Sequence, residues 1–238
     1  MNYIKKYSKW IDPFTYVDIL LLKLFGKPNK LKVKIIYWIF YILFSILFAF
    51  LIYKLAGLIL GTTLPFATVL SGSMEPNFYR GDIIVLNSAK NLKAETITLN
   101  YPIGNKDLQE FATQKFHTNE FGLTEIKSLT IENKTIEIKD IVKNKNSVVV
   151  YNSNTTGKDI IHRLVVIIKA TDGTFVLTKG DNNKTNRIID QDCRIDQTTG
   201  LAQNYCLNLY PVKKENLIGK KKLRIPYLGY LKLIFFRV

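Results

Sequence analysis

Three side chains in this 238-residue sequence could together carry out nucleophilic acyl transfer: a serine in a tight loop, a histidine on a strand and an aspartate beyond the next turn. The serine lies in Val69-Leu70-Ser71-Gly72-Ser73-Met74-Glu75-Pro76. Gly72 between two serines permits a sharp, exposed backbone, and Pro76 stiffens the exit. Such a loop suits a hydroxyl nucleophile set beside N–H donors that could stabilise an oxyanion. Taken alone, Ser-Gly-Ser describes an ordinary turn equally well.

The partners that a serine would need fall on a candidate hairpin. Ile160 to Lys169 and Thr174 to Thr178 are β-branched runs separated by Asp172-Gly173, a strong turn signal. If those two residues form the turn, facing residues have numbers summing to 345. His162 then opposes Asn183, and Asp181 is its diagonal neighbour at roughly 7–8 Å on the same face. A loop of another length would break that parity. The plainer alternatives are a strand histidine satisfied by a carbonyl and an aspartate serving the turn Lys179-Gly180-Asp181-Asn182-Asn183. His117 lies in a polar stretch with no partner motif and reads as a solvated side chain.

These residues must be positioned by the elements around them. Ile35 to Tyr53 is nineteen residues without a charge, about 28 Å of helix, and reads as a transmembrane anchor. Lys23, Lys27, Lys30, Lys32 and Lys34 precede it, which by the positive-inside rule sets the N-terminus in the cytoplasm and everything after Leu60 outside. Pro13 to Phe25 is apolar but too short to span, and predicts an interfacial helix. After the anchor, short β-branched runs separated by Gly, Asn and Asp predict an antiparallel, mostly β domain. One hairpin is expected from Leu129 and Ile131 through a turn at Asn133-Lys134 to Ile136 and Ile138, and a further strand from Ser147 to Tyr151. The polar stretches at 90–146 and 184–213 read as insertions.

Composition excludes several classes. The net charge of +15 is concentrated at the ends: residues 1–34 carry +6 and residues 213–238 carry +7, leaving +2 for the 178 between. No interleaved basic and aromatic face results, so nucleic acid is not an expected partner. Two Cys and two His offer no zinc-ligand spacing, and no cofactor or metal is expected. Cys193 and Cys206 could close the later insertion as a disulfide or remain free thiols.

Five motifs occur in order after the single anchor: Ser71-Gly72-Ser73-Met74-Glu75-Pro76, Arg80-Gly81-Asp82-Ile83-Ile84-Val85, Ile161-His162-Arg163-Leu164-Val165, Lys179-Gly180-Asp181-Asn182-Asn183 and Ile225-Pro226-Tyr227-Leu228-Gly229. This series resembles the boxes of type I signal peptidases, and His162-Arg163 resembles the archaeal and endoplasmic-reticulum branch, where histidine replaces the bacterial lysine. The resemblance implies Ser73 as nucleophile, His162 as general base, and Ser71 with the Ser73 N–H as oxyanion donors. It also implies that Asp181 and a second aspartate assist the histidine. The usual position of that second residue holds Arg187, so the role passes to Asp190, or to Asp192, across a small insertion.

The expected architecture is a cytoplasmic basic segment at 1–34, a transmembrane anchor at 35–60 and an extracytoplasmic catalytic β domain at 61–238. The expected activity is serine endopeptidase cleavage of signal peptides from exported pre-proteins at the cell membrane, or at the endoplasmic reticulum membrane in a eukaryote. Accessory subunits are possible partners. The alternative is a signal-peptidase-like accessory or surface protein without activity. The tail from Leu223 to Phe236, with Lys220, Lys221, Lys222 and Arg224 before it, is expected either to meet membrane lipid or to pack as a last strand.

Overall fold

The computed structural model describes residues 12–119, 122–193 and 206–230. The chain divides into two compact units, Met1–Ala56 and Gly57–Val238.

In the first unit, Pro13–Phe25 forms α1 and Leu31–Leu60 forms α2, which runs on into the second unit. Asp12 caps α1 by accepting the Phe14 N–H at 3.0 Å, with Pro13 at the first helical position where its missing N–H costs nothing. Val17 and Leu21 of α1 are buried with Tyr37 of α2, and the Tyr37 hydroxyl donates to the Gly26 carbonyl at 2.7 Å. The predicted helix therefore has the expected bounds but is docked against α2 between Val33 and Phe44. Helix α2, at 30 residues, is long and apolar enough to cross a membrane.

The second unit is mostly antiparallel sheet. Its elements in chain order are β1 (Phe66–Thr68), β2 (Ile83–Asn87), β3 (Glu95–Thr98), α3 (Leu108–Phe111), β4 (Ala112–Thr118), β5 (Thr124–Ile131), β6 (Lys134–Glu137), α4 (Ile138–Lys143), β7 (Val148–Asn152), β8 (Asp159–Ala170), β9 (Gly173–Lys179), β10 (Val212–Lys213) and β11 (Leu217–Ile225). The main sheet has the order β1-β2-β11-β7-β8-β9-β10, with β3 added in parallel along β8. Strands β4, β5 and β6 make a separate three-stranded sheet.

The central strands are buried on both faces, which explains their unbroken apolar runs: Val148 to Tyr151 of β7, and Leu164 to Ile168 of β8. One face of β8 and β9 joins Leu108, Phe111, Ile126, Leu129 and Ile141 in a single apolar cluster with Val166, Ile168, Phe175 and Leu177. The stretch at 90–146 thus supplies part of the core, although its polar composition predicts only an elaboration. Its hairpin turns one residue earlier than predicted, at Glu132-Asn133, because Ile131 pairs with Lys134 and Glu132 takes the left-handed conformation at φ 50°. Ile138 opens α4 instead of continuing a strand.

The C-terminal motif is structural. Strand β11 lies between β2 and β7, so Leu223, Arg224 and Ile225 belong to the sheet. Of the two alternatives for this tail, the last strand is the one formed up to Ile225, and three of its cations are engaged within the fold: Lys220 donates to the Asn91 carbonyl at 2.9 Å, Lys221 lies over the Phe78 ring, and Arg224 pairs with buried Asp82 at 2.7 Å. Phe235 and Phe236 lie outside the described residues. Cys193 and Cys206 form a disulfide that closes the later insertion.

Candidate active site

The Ser71–Ser73 loop is held by apolar anchors and by interlocked backbone. Met74 and Phe78, just past it, are buried against Ile84, Leu86, Val148 and Val150. Before it, Val69 exchanges backbone hydrogen bonds with the Arg80-Gly81-Asp82 box, its N–H donating to Asp82 O and its carbonyl accepting from Gly81 N, both at 2.9 Å. Asp82 is fully buried, accepts from Tyr79 N at 2.7 Å and is neutralised by Arg224. Gly229 N donates to Gly81 O at 2.8 Å, and a Cβ on Gly81 would meet the Tyr230 ring at 2.4 Å. The second and fifth sequence motifs are therefore one brace beneath the first. Within the loop, the Ser71 and Ser73 hydroxyls lie 3.3 Å apart.

Histidine 162 is paired with Val149 on β7 and is 2% exposed. Its Nδ1 lies 2.6 Å from Oδ2 of Asp190, itself 2% exposed. The same carboxylate oxygen accepts from the Tyr151 hydroxyl at 3.0 Å and from Thr178 Oγ1 at 2.7 Å. Burial pushes the Asp190 carboxyl up, but the His162 charge and the hydrogen bonds from His162, Thr178 and Tyr151 together outweigh it and leave the group below its ordinary value. Burial, with Asp190 alongside, pushes the Tyr151 phenol well up, so it serves as a donor. Asp192 is elsewhere, accepting from Gln109 at 2.7 Å and Gln114 at 3.0 Å.

Asp181 does not meet His162, contrary to the register expectation. Ala170 pairs with Gly173, so the hairpin loop is Thr171-Asp172 instead of Asp172-Gly173. Asp172 stays at the tip because its carboxylate accepts the N–H groups of Ile103 and Gly104 at 3.2 and 2.8 Å. A bulge at Val165 then shifts the register again, and Arg163 faces Lys179. Consecutive strand residues point to opposite faces, so Asp181 follows Arg163 and not His162. The Arg163 guanidinium holds it in a fork, Nε to Oδ1 at 2.7 Å and Nη2 to Oδ2 at 2.6 Å, and Asn77 Nδ2 donates to Oδ2 at 2.8 Å.

Asn182 links the fourth motif to the serine loop: its N–H donates to Ser73 O at 2.9 Å and its Nδ2 to Gly72 O at 2.8 Å. The approach is close enough that a Cβ on Gly180 would sit 2.7 Å from Ser73 O. The first and fourth motifs thus form one unit, and Asp190 meets the histidine of the third. His117 is exposed, as predicted, with Nε2 3.3 Å from Glu125 Oε1.

No family model matches the chain. It is 28% identical over 183 residues to the signal peptidase complex catalytic subunit SEC11 of Schizophyllum commune, covering 76% of this chain and 69% of that protein. The corresponding subunits of Verticillium alfalfae and Clavispora lusitaniae are each 26% identical over 185 residues, covering 78% of this chain and 72% and 74% of theirs. The chain is a homologue of these catalytic subunits.

The sequence alone does not single out Tyr151, Thr178, Arg163, Asn77 or Asn182 as site residues. Arg163 and Asn182 sit inside recognised motifs, so their position was visible but their partners were not. Tyr151 and Thr178 carry no local signal, because only the pairing of β7, β8 and β9 brings them to Asp190.

Proposed function

We propose that this protein is a membrane-anchored serine endopeptidase that cleaves signal peptides from exported pre-proteins. The observation that carries the reading is the buried His162–Asp190 pair, with two further hydroxyl donors on the same carboxylate. A carboxylate on Nδ1 fixes the tautomer in which Nε2 presents a lone pair, as a base acting on a serine must. In this mechanism Ser73 Oγ attacks the scissile carbonyl while His162 takes its proton. His162 returns the proton to the leaving amine, and water releases the acyl-enzyme. Ser71 Oγ and the Ser73 N–H stabilise the oxyanion. Asp190 orients His162, and Asp181 braces the loop through Arg163.

Helix α2 anchors the chain, and the five lysines before Ile35 favour a cytoplasmic N-terminus with the catalytic unit on the far side. The relatives' designation as subunits of a complex supports accessory subunits here as well. The test is incubation of the detergent-solubilised full chain with a pre-protein. Wild type should release the signal peptide, and Ser73→Ala and His162→Ala should each abolish cleavage while retaining the fold. Substantial cleavage by either variant would overturn the assignment of those residues.

A further inference from the structure

Lys179 is a buried cation that the mechanism above leaves unused. It ends β9, is 2% exposed and faces Arg163 across the sheet. Two like charges opposite each other are unfavourable unless each is separately satisfied. Arg163 takes the Asp181 carboxylate, as well as the Asn146 carbonyl at 2.8 Å. Lys179 Nζ instead donates to two neutral oxygens, the Gly180 carbonyl at 2.9 Å and Asn183 Oδ1 at 2.7 Å. Gly180, Asp181 and Asn183 are therefore all turned toward the two cations. Asn182 between them is turned the other way, onto Gly72 O and Ser73 O.

We propose that Lys179 is a positioning residue for the nucleophile: its ammonium folds the Gly180–Asn183 loop so that Asn182 clamps the backbone carbonyls of Gly72 and Ser73. The inference deepens the peptidase reading and rests on it for its kinetic consequence, whereas the clamp itself is a property of the fold. The chain accepts a buried charge to obtain it. Burial pulls the Lys179 pKa down to about 8, against the opposing pull of Asp190, Asp181 and Glu125. An apolar residue would avoid that cost but could not hold two loop oxygens at once.

The experiment compares full-length wild type with Lys179→Met, Asn182→Ala and the double variant. Amide hydrogen exchange in the peptide containing Asn182 is measured beside steady-state cleavage of a pre-protein. Lys179→Met should raise Asn182 exchange at least about tenfold while the β8 amides keep their protection. It should lower kcat by about 10–100-fold with KM little changed, since a misplaced nucleophile loses rate more than binding. The two single losses should not add in the double variant, because both act through one clamp. Unchanged Asn182 protection in a folded Lys179→Met variant, or fully additive losses, would overturn the proposal. If Lys179→Met does not fold, Asn183→Ala removes one of the two acceptors and should act in the same direction; unchanged protection there would equally overturn it. Absence of cleavage by wild type would count against the peptidase reading, while the exchange measurement would still decide the clamp.

Discussion

His162 and Arg163 are neighbours on β8, and each grips an aspartate, but an imidazole can serve as a proton acceptor and donor whereas a guanidinium only donates hydrogen bonds. On one face, Asp190 meets an imidazole and two neutral hydroxyls, an arrangement that can stabilise a proton arriving at the ring and let it go again. On the other face, Asp181 is forked by a guanidinium that never gives up its proton. That pair can only hold something still, and what it holds is the loop that reaches Gly72 and Ser73. On the proposed mechanism, chemistry and support are separated by the pleat of a single strand.

The comparison is most sharply tested by removing one charge from each face. Asp190→Asn should lower kcat by about 10³–10⁴-fold while retaining the fold, because the amide favours the wrong histidine tautomer. Asp181→Asn should act chiefly on stability, by about 3–5 kcal/mol, because it leaves the Arg163 guanidinium buried without its carboxylate. Cleavage kinetics and thermal unfolding of the two variants would separate these outcomes. If Asp181→Asn lost as much rate as Asp190→Asn at unchanged stability, the division of labour would be wrong.

Two glycines extend the test at smaller amplitude. Gly180→Ala would force a methyl within 2.7 Å of Ser73 O and 2.9 Å of Asn186 Cβ. The loop must shift, and cleavage should fall about 10–100-fold by displacement of the nucleophile. Gly157→Ala lies at φ 66° with open space around its Cβ. It should cost about 1 kcal/mol of stability and leave cleavage unchanged, since only backbone conformation is penalised. Equal kinetic effects at both positions would show that the close approach at Gly180 has no bearing on Ser73.

The sequence made α2, α1, β7 and the β8–β9 hairpin legible because each is a local pattern: an uncharged run, a short apolar segment, β-branched stretches around a turn. The site was legible as ordered motifs. Its wiring was not: the turn at Thr171-Asp172 moves the pairing by two residues, which keeps the faces, and the bulge at Val165 moves it by one more, which exchanges them. Neither shift has a local signature. Asp172 is held at the tip by N–H groups from Ile103 and Gly104, about seventy residues away in the chain. The basic residues near the C-terminus left two readings open for a related reason: Arg224 suits lipid or a last strand equally until Asp82, far upstream, is placed beside it.

The smallest expected effects concern pH, and here the two faces should respond in different windows. Asp190 titrates below its ordinary value of 3.8 in the folded chain. The unfolded chain therefore takes up that proton first as pH falls. The group's contribution is present above the ordinary carboxylate value and is lost as pH drops through the lower folded value. Lys179 titrates at about 8 in the folded chain against 10.5 ordinarily. Between those values the unfolded chain binds more protons, so stability rises with pH through that window, and the cost of burying the charge is fully present only below about 8. Unfolding midpoints of wild type should accordingly converge with those of Asp190→Asn on acidification below about pH 4, and should gain on Lys179→Met between about pH 8 and about pH 10.5. A constant difference between wild type and Asp190→Asn across the acid range would mean that the fold does not hold the Asp190 carboxyl below its ordinary value. A constant difference from Lys179→Met across the alkaline range would mean that Lys179 does not carry a buried charge.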